Sequence, residues 1–197
     1  MKPKILGNKY DKIARWWQDH MRDSNYGTKQ VERALQFCKK GGSALDVGCG
    51  AGGRIVKLMQ NHELAVTGID VSAEMIQLAI ETHPDEQFFI DDICSFETEE
   101  KFDFIVAWDS IFHLPLEEQE PVVTKLCDLL QPGGVLIYTF GDAVGEHEDT
   151  WHDDTFHYSS IGIDGNLALL AANGVNCKHL ELDQWPQNHV YIIGVKH

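Results

Sequence analysis

The sequence predicts an α/β fold: an open, mostly parallel sheet with an antiparallel hairpin at its C-terminal end and a helical cap at its N-terminal end. Short apolar runs alternate with helical stretches through the middle of the chain. The runs are apolar at consecutive positions, as strands of a parallel sheet covered on both faces are. Near the C-terminus, two β-like runs are joined by a connection short enough for an antiparallel hairpin.

In chain order, helical character comes first, over Lys9–Met21 and Thr28–Cys38. Strands are predicted at Ser43–Val47, Ala65–Asp70, Gln87–Ile90, Phe102–Trp108 and Val135–Phe140, with helices at Gly52–Asn61, Ala73–Glu81 and Leu116–Leu130 between them. Ser72 is placed to cap the second of these helices, with Glu74 in its first turn. Gln131-Pro132-Gly133-Gly134 stops the third, because proline cannot continue a helix and glycines permit a tight turn. Asp142–Tyr158 is acidic, rich in His and aromatic residues and without period, and reads as a loop. A helix over Asp164–Asn173 and the runs Lys178–Leu182 and Val190–Val195 complete the chain. We read one domain over 1–197: a cap (1–40), a ligand-binding core (41–140), and a substrate loop, helix and terminal hairpin (141–197).

The 197 residues are 43% hydrophobic and 24% charged, the composition of a water-soluble domain with a core of its own. Sixteen Lys and Arg face 31 Asp and Glu, a net charge of −15. Nucleic-acid binding draws on cations that neutralise phosphates, so this balance disfavours DNA and RNA and favours small neutral or cationic molecules. No apolar run approaches the ~18 residues a membrane span needs, and no secretory signal is legible. Cys38, Cys49, Cys94, Cys127 and Cys177 are odd in number and never spaced as CxxC, which suits reduced thiols in the cytoplasm rather than disulfides or a metal site.

The segment Ala44-Leu45-Asp46-Val47-Gly48-Cys49-Gly50-Ala51-Gly52-Gly53 runs from strand through glycines into helix. Glycines there let the backbone turn sharply and approach a nucleotide-sized ligand. Gly48, Gly50 and Gly53 satisfy GxGxxG, the dinucleotide fingerprint, while Gly48, Gly50 and Gly52 equally satisfy GxGxG. Asp70, ending the second strand, is able to accept both hydrogen bonds of a ribose diol in either case. Asp46 separates the two: a carboxylate there repels a diphosphate and tolerates a cationic sulfonium ligand with an α-amino group.

The array then resembles the class I S-adenosylmethionine-dependent methyltransferases of small-molecule type, on five ordered motifs: LDVGCGAG (45–52), GIDVSAEMI (68–76), DDI (91–93), FDFIVAWDSIFHL (102–114) and LQPGG (130–134). The resemblance implies a Rossmann-like sheet whose last strand is antiparallel, S-adenosyl-L-methionine as cofactor and S-adenosyl-L-homocysteine as product. It places the methionine moiety on Asp46 and on the loop of Gly48, Cys49, Gly50 and Gly52. Asp70 would bind the ribose hydroxyls, Val71 flank the adenine, and Asp92 and Ile93 read its edge, with adjacent Asp91 an equal alternative to Asp92. Trp108 and Asp109 would sit beside the reacting methyl. A non-catalytic cofactor-binding module and a nicotinamide oxidoreductase are the competing functions; the second is weakened by Asp46 and by the lack of a further substrate domain.

On the acceptor side, His113 is the candidate general base, being placed just past the fourth strand with an imidazole that ordinarily titrates near neutrality. Tyr10, Trp16 and Tyr26 of the cap, Tyr10 within a YDxxAxxW pattern, are candidates for a substrate wall. So are Trp151, His152, His157 and Tyr158 of the Asp142–Tyr158 segment, because ligands of open α/β sheets meet at the carboxyl ends of strands. The histidines and acids of that segment match no metal spacing, and no metal is expected. No motif identifies the acceptor or an oligomeric state.

Overall fold

The computed structural model describes residues 2–197. In chain order its elements are α1 (Pro3–Met21), α2 (Thr28–Leu35), β1 (Ser43–Val47), α3 (Arg54–Asn61), β2 (Ala65–Asp70), α4 (Ala73–Thr82), β3 (Gln87–Ile90) and β4 (Phe102–Ala107). Then follow α5 (Leu116–Leu129), β5 (Leu130–Gly141), β6 (Val144–Trp151), β7 (Asp154–Ile161), α6 (Gly162–Ala172), β8 (Val175–Leu182) and β9 (His189–Lys196). Seven strands form one sheet in the order β3-β2-β1-β4-β5-β9-β8. The first five are parallel; β9 runs antiparallel between β5 and β8, pairing Tyr138 with Ile192 and Leu180 with the same Ile192 from the other side. The open sheet with a reversed terminal hairpin is the one the sequence predicts.

Alternation along each strand divides the core into two layers. Leu45, Ile105 and Leu136 face α5 and α6, where Val123, Leu126 and Leu170 pack. Ala44, Phe104 and Val135 face the other way, onto Val31 of α2, Val56 and Met59 of α3, and Ile76 of α4. Because both faces are covered, nearly every residue of the central strands is buried, which explains their unbroken apolar runs. Strand order reverses beside β1, whose neighbours are β2 and β4. The carboxyl ends of these three strands therefore open a crevice at the switch point, where ligands of open α/β sheets bind.

Several bounds move: α1 begins at Pro3 rather than Lys9, α2 ends at Leu35 rather than Cys38, β5 begins at Leu130 rather than Val135, so that 131–134 is strand and not turn, and β8 begins at Val175 rather than Lys178. Two further segments differ for a local reason. The helix predicted from Gly52 begins at Arg54, since Gly52 has φ 64°, a left-handed value no helix residue takes. The segment read as an aperiodic loop is a hairpin, β6 against β7, closed by Trp151 opposite Asp154. Its two turn residues, His152 and Asp153, have φ of 48° and 59°, the left-handed pair of a type I′ turn. Neither is the glycine or asparagine that usually signals such a turn. The charged face of β6 is exposed along almost its whole length, which hides the alternation by which a strand is recognised.

The hairpin docks on α1. Lys9 and Lys12 both bind Asp154, at 3.2 and 2.7 Å, and Lys9 also donates to the Thr155 carbonyl. Trp16 meets the rings of Trp151 and His152 edge-on, with centroids 5.7 and 4.1 Å apart. On its other side α1 lies against α4: Asp11 accepts from the Ser72 hydroxyl (2.6 Å) and from the Glu74 N–H (3.1 Å), while Ser72 caps the helix through Met75 N–H, as predicted. Gly7 permits this contact, for a Cβ there would lie 2.2 Å from the Val71 carbonyl oxygen.

Candidate active site

Under α1, at the carboxyl ends of β1, β2 and β4, lies a cavity of about 720 Å³, within the range of small-molecule sites. Its floor is the loop after β1. Gly48 and Cys49 N–H both donate to the Ile69 carbonyl, at 2.8 and 3.1 Å, which ties the loop to β2. Gly48, Gly50 and Gly52 have φ of 73°, 54° and 64°, the left-handed region in which a side chain is strained. Gly53 has φ −80°, and a Cβ on it would meet nothing within 4 Å. The functional pattern is thus GxGxG; the close helix–strand packing that the third glycine of a dinucleotide fingerprint serves is missing at Gly53. A Cβ on Gly50 would project between Trp17 Nε1 (3.6 Å) and Met75 Sδ (4.0 Å), so the bare backbone here forms a cradle open to a ligand.

Two carboxylates flank the loop. Asp70 accepts from Gly50 N–H and Ser72 N–H, both at 2.9 Å, which aims its oxygens along the cavity wall. Burial pushes its pKa up to about 6; those backbone donors oppose the rise and the nearby charge of Asp11 adds to it. Asp46 is 3% exposed, and no donor among the described residues reaches its carboxyl. Burial, then the charge of Asp70, pushes it up to about 7, with Arg54 pulling the other way. Two carboxylates so placed suit a ligand bearing hydroxyls and a positive charge, and disfavour a diphosphate.

The far wall is the β3–β4 connection. Asp92 Oδ1 accepts from Cys94 N–H (3.1 Å), and Asp91 Oδ1 from Asp92 N–H (2.7 Å). Lys125 of α5 binds the carbonyls of Ile93, Cys94 and Phe96 at 2.9, 2.8 and 3.2 Å, fixing the loop from behind. Asp91, Asp92 and Ile93 all line the cavity, so the geometry leaves the choice between the two aspartates open.

Past the end of β4, in a single helical turn over Ile111–His113, His113 is 4% exposed. Its Nδ1 lies 2.9 Å from the His157 carbonyl, which can only accept, so Nδ1 carries the proton. Nε2 is then the acceptor, and the Tyr10 hydroxyl donates to it at 2.9 Å. Burial lowers the imidazole to about 4 and raises the Tyr10 phenol, so both are neutral at physiological pH. Asp109, also on the wall, takes φ 52° and is held by its N–H to Thr139 Oγ1 (2.8 Å) and by His189 Nε2 (2.9 Å). His189 Nδ1 binds Asp183 at 2.6 Å, and Gln30 donates to Asp183 from behind (2.8 Å). Burial lowers the His189 pKa, but the two carboxylates outweigh it and raise the pKa overall.

Of the residues singled out in the sequence, Tyr10, Asp46, Gly48, Cys49, Gly50, Asp70, Val71, Asp92, Ile93, Trp108, Asp109 and His113 line this cavity. Gly52 lies beneath the loop against Ala79. The expected substrate wall is differently composed. Trp16 is 42% exposed and stacks on His20, and Trp151 and His152 join it on the outer side of α1. His157 contributes its carbonyl to His113, and Tyr158 lies between His113 and His147. Tyr26 packs edge-on against Trp108 and receives Gln184 on its hydroxyl (2.7 Å). These six support the wall and do not line the cavity. Arg54, Met75, His83 and Ser110, which the sequence did not mark, do line it. Of these only Arg54 carried a signal, as the first residue past the glycine loop.

A sheet with a reversed last strand, a left-handed glycine loop and an acid closing the second strand define a Rossmann-like ligand-binding domain. Residues 44–134 match the family model described as a methyltransferase domain. It is 32% identical over 128 residues to phosphoethanolamine N-methyltransferase 2 of Caenorhabditis elegans, an overlap covering 61% of this chain and 29% of that one. It is 25% identical over 159 residues to the 2-methyl-6-phytyl-1,4-hydroquinone methyltransferase of Synechocystis, covering 67% of this chain and 49% of the relative. The chain thus spans at most about half the length of these relatives. Among solved structures, magnesium protoporphyrin IX methyltransferase of Synechocystis PCC 6803, with S-adenosylhomocysteine bound, superposes over 100% of both chains with a TM-score of 0.76 at 16% identity, a likeness of fold.

Proposed function

We propose that the protein is an S-adenosylmethionine-dependent methyltransferase that moves a methyl group to an O, N, S or C nucleophile of a small molecule. The observation that carries this reading is the pair of cavity-facing carboxylates, Asp46 and Asp70, on either side of a left-handed GxGxG loop. The residues fit the cofactor: Asp70 presents an acceptor for a ribose diol, Asp46 for an ammonium group, and the bare Gly50 backbone leaves room between them. Asp91 or Asp92 takes the exocyclic amine of adenine, with Val71 and Ile93 as its apolar walls. When bound, the cofactor supplies an electrophilic methyl on a sulfonium, a good leaving group.

The chain's own residues then orient and exclude. Alignment of nucleophile, methyl and sulfur contributes much of such a reaction's acceleration, and α1 roofs the cavity against water. Trp108 and Asp109 form the wall where the acceptor meets the methyl. His113 acts with Tyr10: while the phenol donates to Nε2, the imidazole is closed to a substrate proton, and rotation of Tyr10 away exposes a neutral base. Acceptors that carry no proton to remove need no such step. The relatives' names give acceptors as unlike as phosphoethanolamine and a hydroquinone, so the acceptor is set by the lid rather than by the shared sheet. The net charge of −15 favours small neutral or cationic acceptors over nucleic acid, the free cysteines suit the cytoplasm, and 1–197 acts as one catalytic unit with its lid. No helix among the described residues is long and apolar enough to cross a membrane.

Thermal unfolding with S-adenosylhomocysteine, with NADH and with neither tests the reading. A ligand at 100 times its dissociation constant adds ~2.7 kcal/mol, a rise of roughly 5–10 °C. A rise with the homocysteine derivative alone, lost in Asp70→Ala, is expected; a rise with NADH alone overturns the proposal.

A further inference from the structure

Arg54 is one of three Lys and Arg side chains that line the cavity, with Arg22 and Lys57, and among the described residues no carboxylate pairs with it. Its side chain is half-buried at the start of α3 and lines the wall shared with Asp46 and Asp109. One of its donors is used: Nε binds the Tyr26 carbonyl, and the guanidinium carbon lies 5.5 Å from the centre of the Tyr26 ring. The backbone contact and the ring hold the plane of the group in one orientation. Among the described residues, no carboxylate lies within 4.0 Å of it and no acceptor engages its terminal nitrogens. Arg22, another cation of the lining, pairs with Asp19 at 2.7 Å. The acids whose charges Arg54 feels have other relations: Asp109 is bound to His189, and Asp46 is buried with no donor among the described residues. Taking a guanidinium out of water without a partner is costly, and burial accordingly lowers the Arg54 pKa. The planar fork that remains free is the shape that binds a carboxylate through two parallel hydrogen bonds.

We propose that Arg54 is an anion subsite of the cavity, which takes the carboxylate of the cofactor's amino-acid end while Asp46 takes the ammonium beside it. This rests on the function proposed above and adds to it a specific recognition of the zwitterion. An acid and a base held side by side but unpaired match a ligand group carrying both charges on one carbon. Tyr26 is then the residue that aims the fork, although it does not line the cavity itself. The alternative source of the same chemistry is an anionic group on the methyl acceptor, which the choice of probe separates.

The test is calorimetric titration of the wild-type chain, Arg54→Gln and Arg54→Lys with three probes. S-adenosylhomocysteine carries both charges, its decarboxylated analogue keeps only the ammonium, and 5′-deoxy-5′-methylthioadenosine has neither. The wild type is expected to prefer S-adenosylhomocysteine to the decarboxylated analogue by at least ~10-fold, the scale of a charged hydrogen-bonded contact. Arg54→Gln is expected to erase that preference and leave methylthioadenosine binding unchanged; Arg54→Lys, which keeps the charge and loses the fork, is expected to fall between. An unchanged preference in Arg54→Gln overturns the assignment and leaves the acceptor as the source of the anion. Equal loss of all three probes also overturns it, since Arg54 would then only hold the loop through Tyr26. Failure of the wild type to bind any of the three is a different result, and removes the function proposed above.

Discussion

Asp46 ought to make the ligand-free protein less stable as pH rises. Its folded pKa of about 7 stands above the ordinary 3.8, so the folded state holds its proton over a range where the unfolded chain has released it. A raised carboxyl stabilises the fold fully only below the unfolded value, and the contribution is lost as pH climbs through the folded one. Between pH 5 and pH 8 that loss is on the order of 3 kcal/mol, taking 1.36 kcal/mol per pH unit up to the folded pKa. The perturbation is Asp46→Asn, which cannot ionise. Its amide, without a partner, costs ~1–3 kcal/mol at every pH, so the variant is less stable than wild type at pH 5. By pH 8 the buried charge of the wild type offsets that cost. The difference in Tm between the two proteins is therefore expected to swing by roughly 6–12 °C from pH 5 to pH 8. Circular-dichroism melts at four pH values measure it, and contributions from groups common to both proteins cancel in the difference. A Tm difference that stays flat across this range would refute the placement of Asp46 as a buried, donor-free acid. The same variant should fail to gain stability from S-adenosylhomocysteine, because the uncharged amide gives an ammonium no counter-ion.

The neutral His113 makes an independent prediction. Histidine-selective nitrogen NMR at pH 6 should show the form protonated at Nδ1, with no titration until pH falls towards 4; a half-protonated ring at pH 6 would contradict the burial and the Tyr10 contact. Because its folded pKa is depressed, the stability it contributes is complete above about 6.5 and lost as pH falls towards 4. Lys125→Met removes a charged donor from three carbonyls and should lower stability by ~2 kcal/mol, read by denaturant unfolding, and weaken S-adenosylhomocysteine through the loop of Asp92 and Ile93. Asp11→Ala removes an acceptor at the start of α4 while Ser72 still caps it, so a loss of ~1 kcal/mol is expected, with faster amide exchange at Glu74. Trp151→Ala should speed amide exchange along α1 while leaving the sheet protected, as judged by hydrogen-exchange mass spectrometry.

What could be read from the sequence was what a local rule governs. The central strands showed themselves because both faces are covered, and the glycine loop because left-handed backbone demands particular residues. Asp70 and Ser72 follow from the strand–turn–helix pattern that contains them. The acceptor side was less legible. His152 and Asp153 make a left-handed turn with residues that seldom signal one, and Trp16 and Trp151 face each other across 135 positions of chain, outside the aromatic wall they were expected to form. Asp183 and Arg54 owe their roles to what lies beside them in space, His189 in one case and Tyr26 in the other. The strength of a charge, like the emptiness around it, is a property of the assembled site.

The interlock of α1 with the β6–β7 hairpin bears on how such a chain diversifies. Each half of the roof is supported by side chains from the other: Asp154 on Lys9 and Lys12, Trp151 on Trp16 and Trp17, and the carbonyl of His157 on the ring whose other nitrogen Tyr10 holds. A new acceptor specificity installed by exchanging one half alone would leave unmatched charges and half-covered indoles. The two segments therefore constitute one exchangeable module written in two places, and a chimera that transplants both onto the same sheet is the smallest change that would re-tailor the cavity without unsettling the fold.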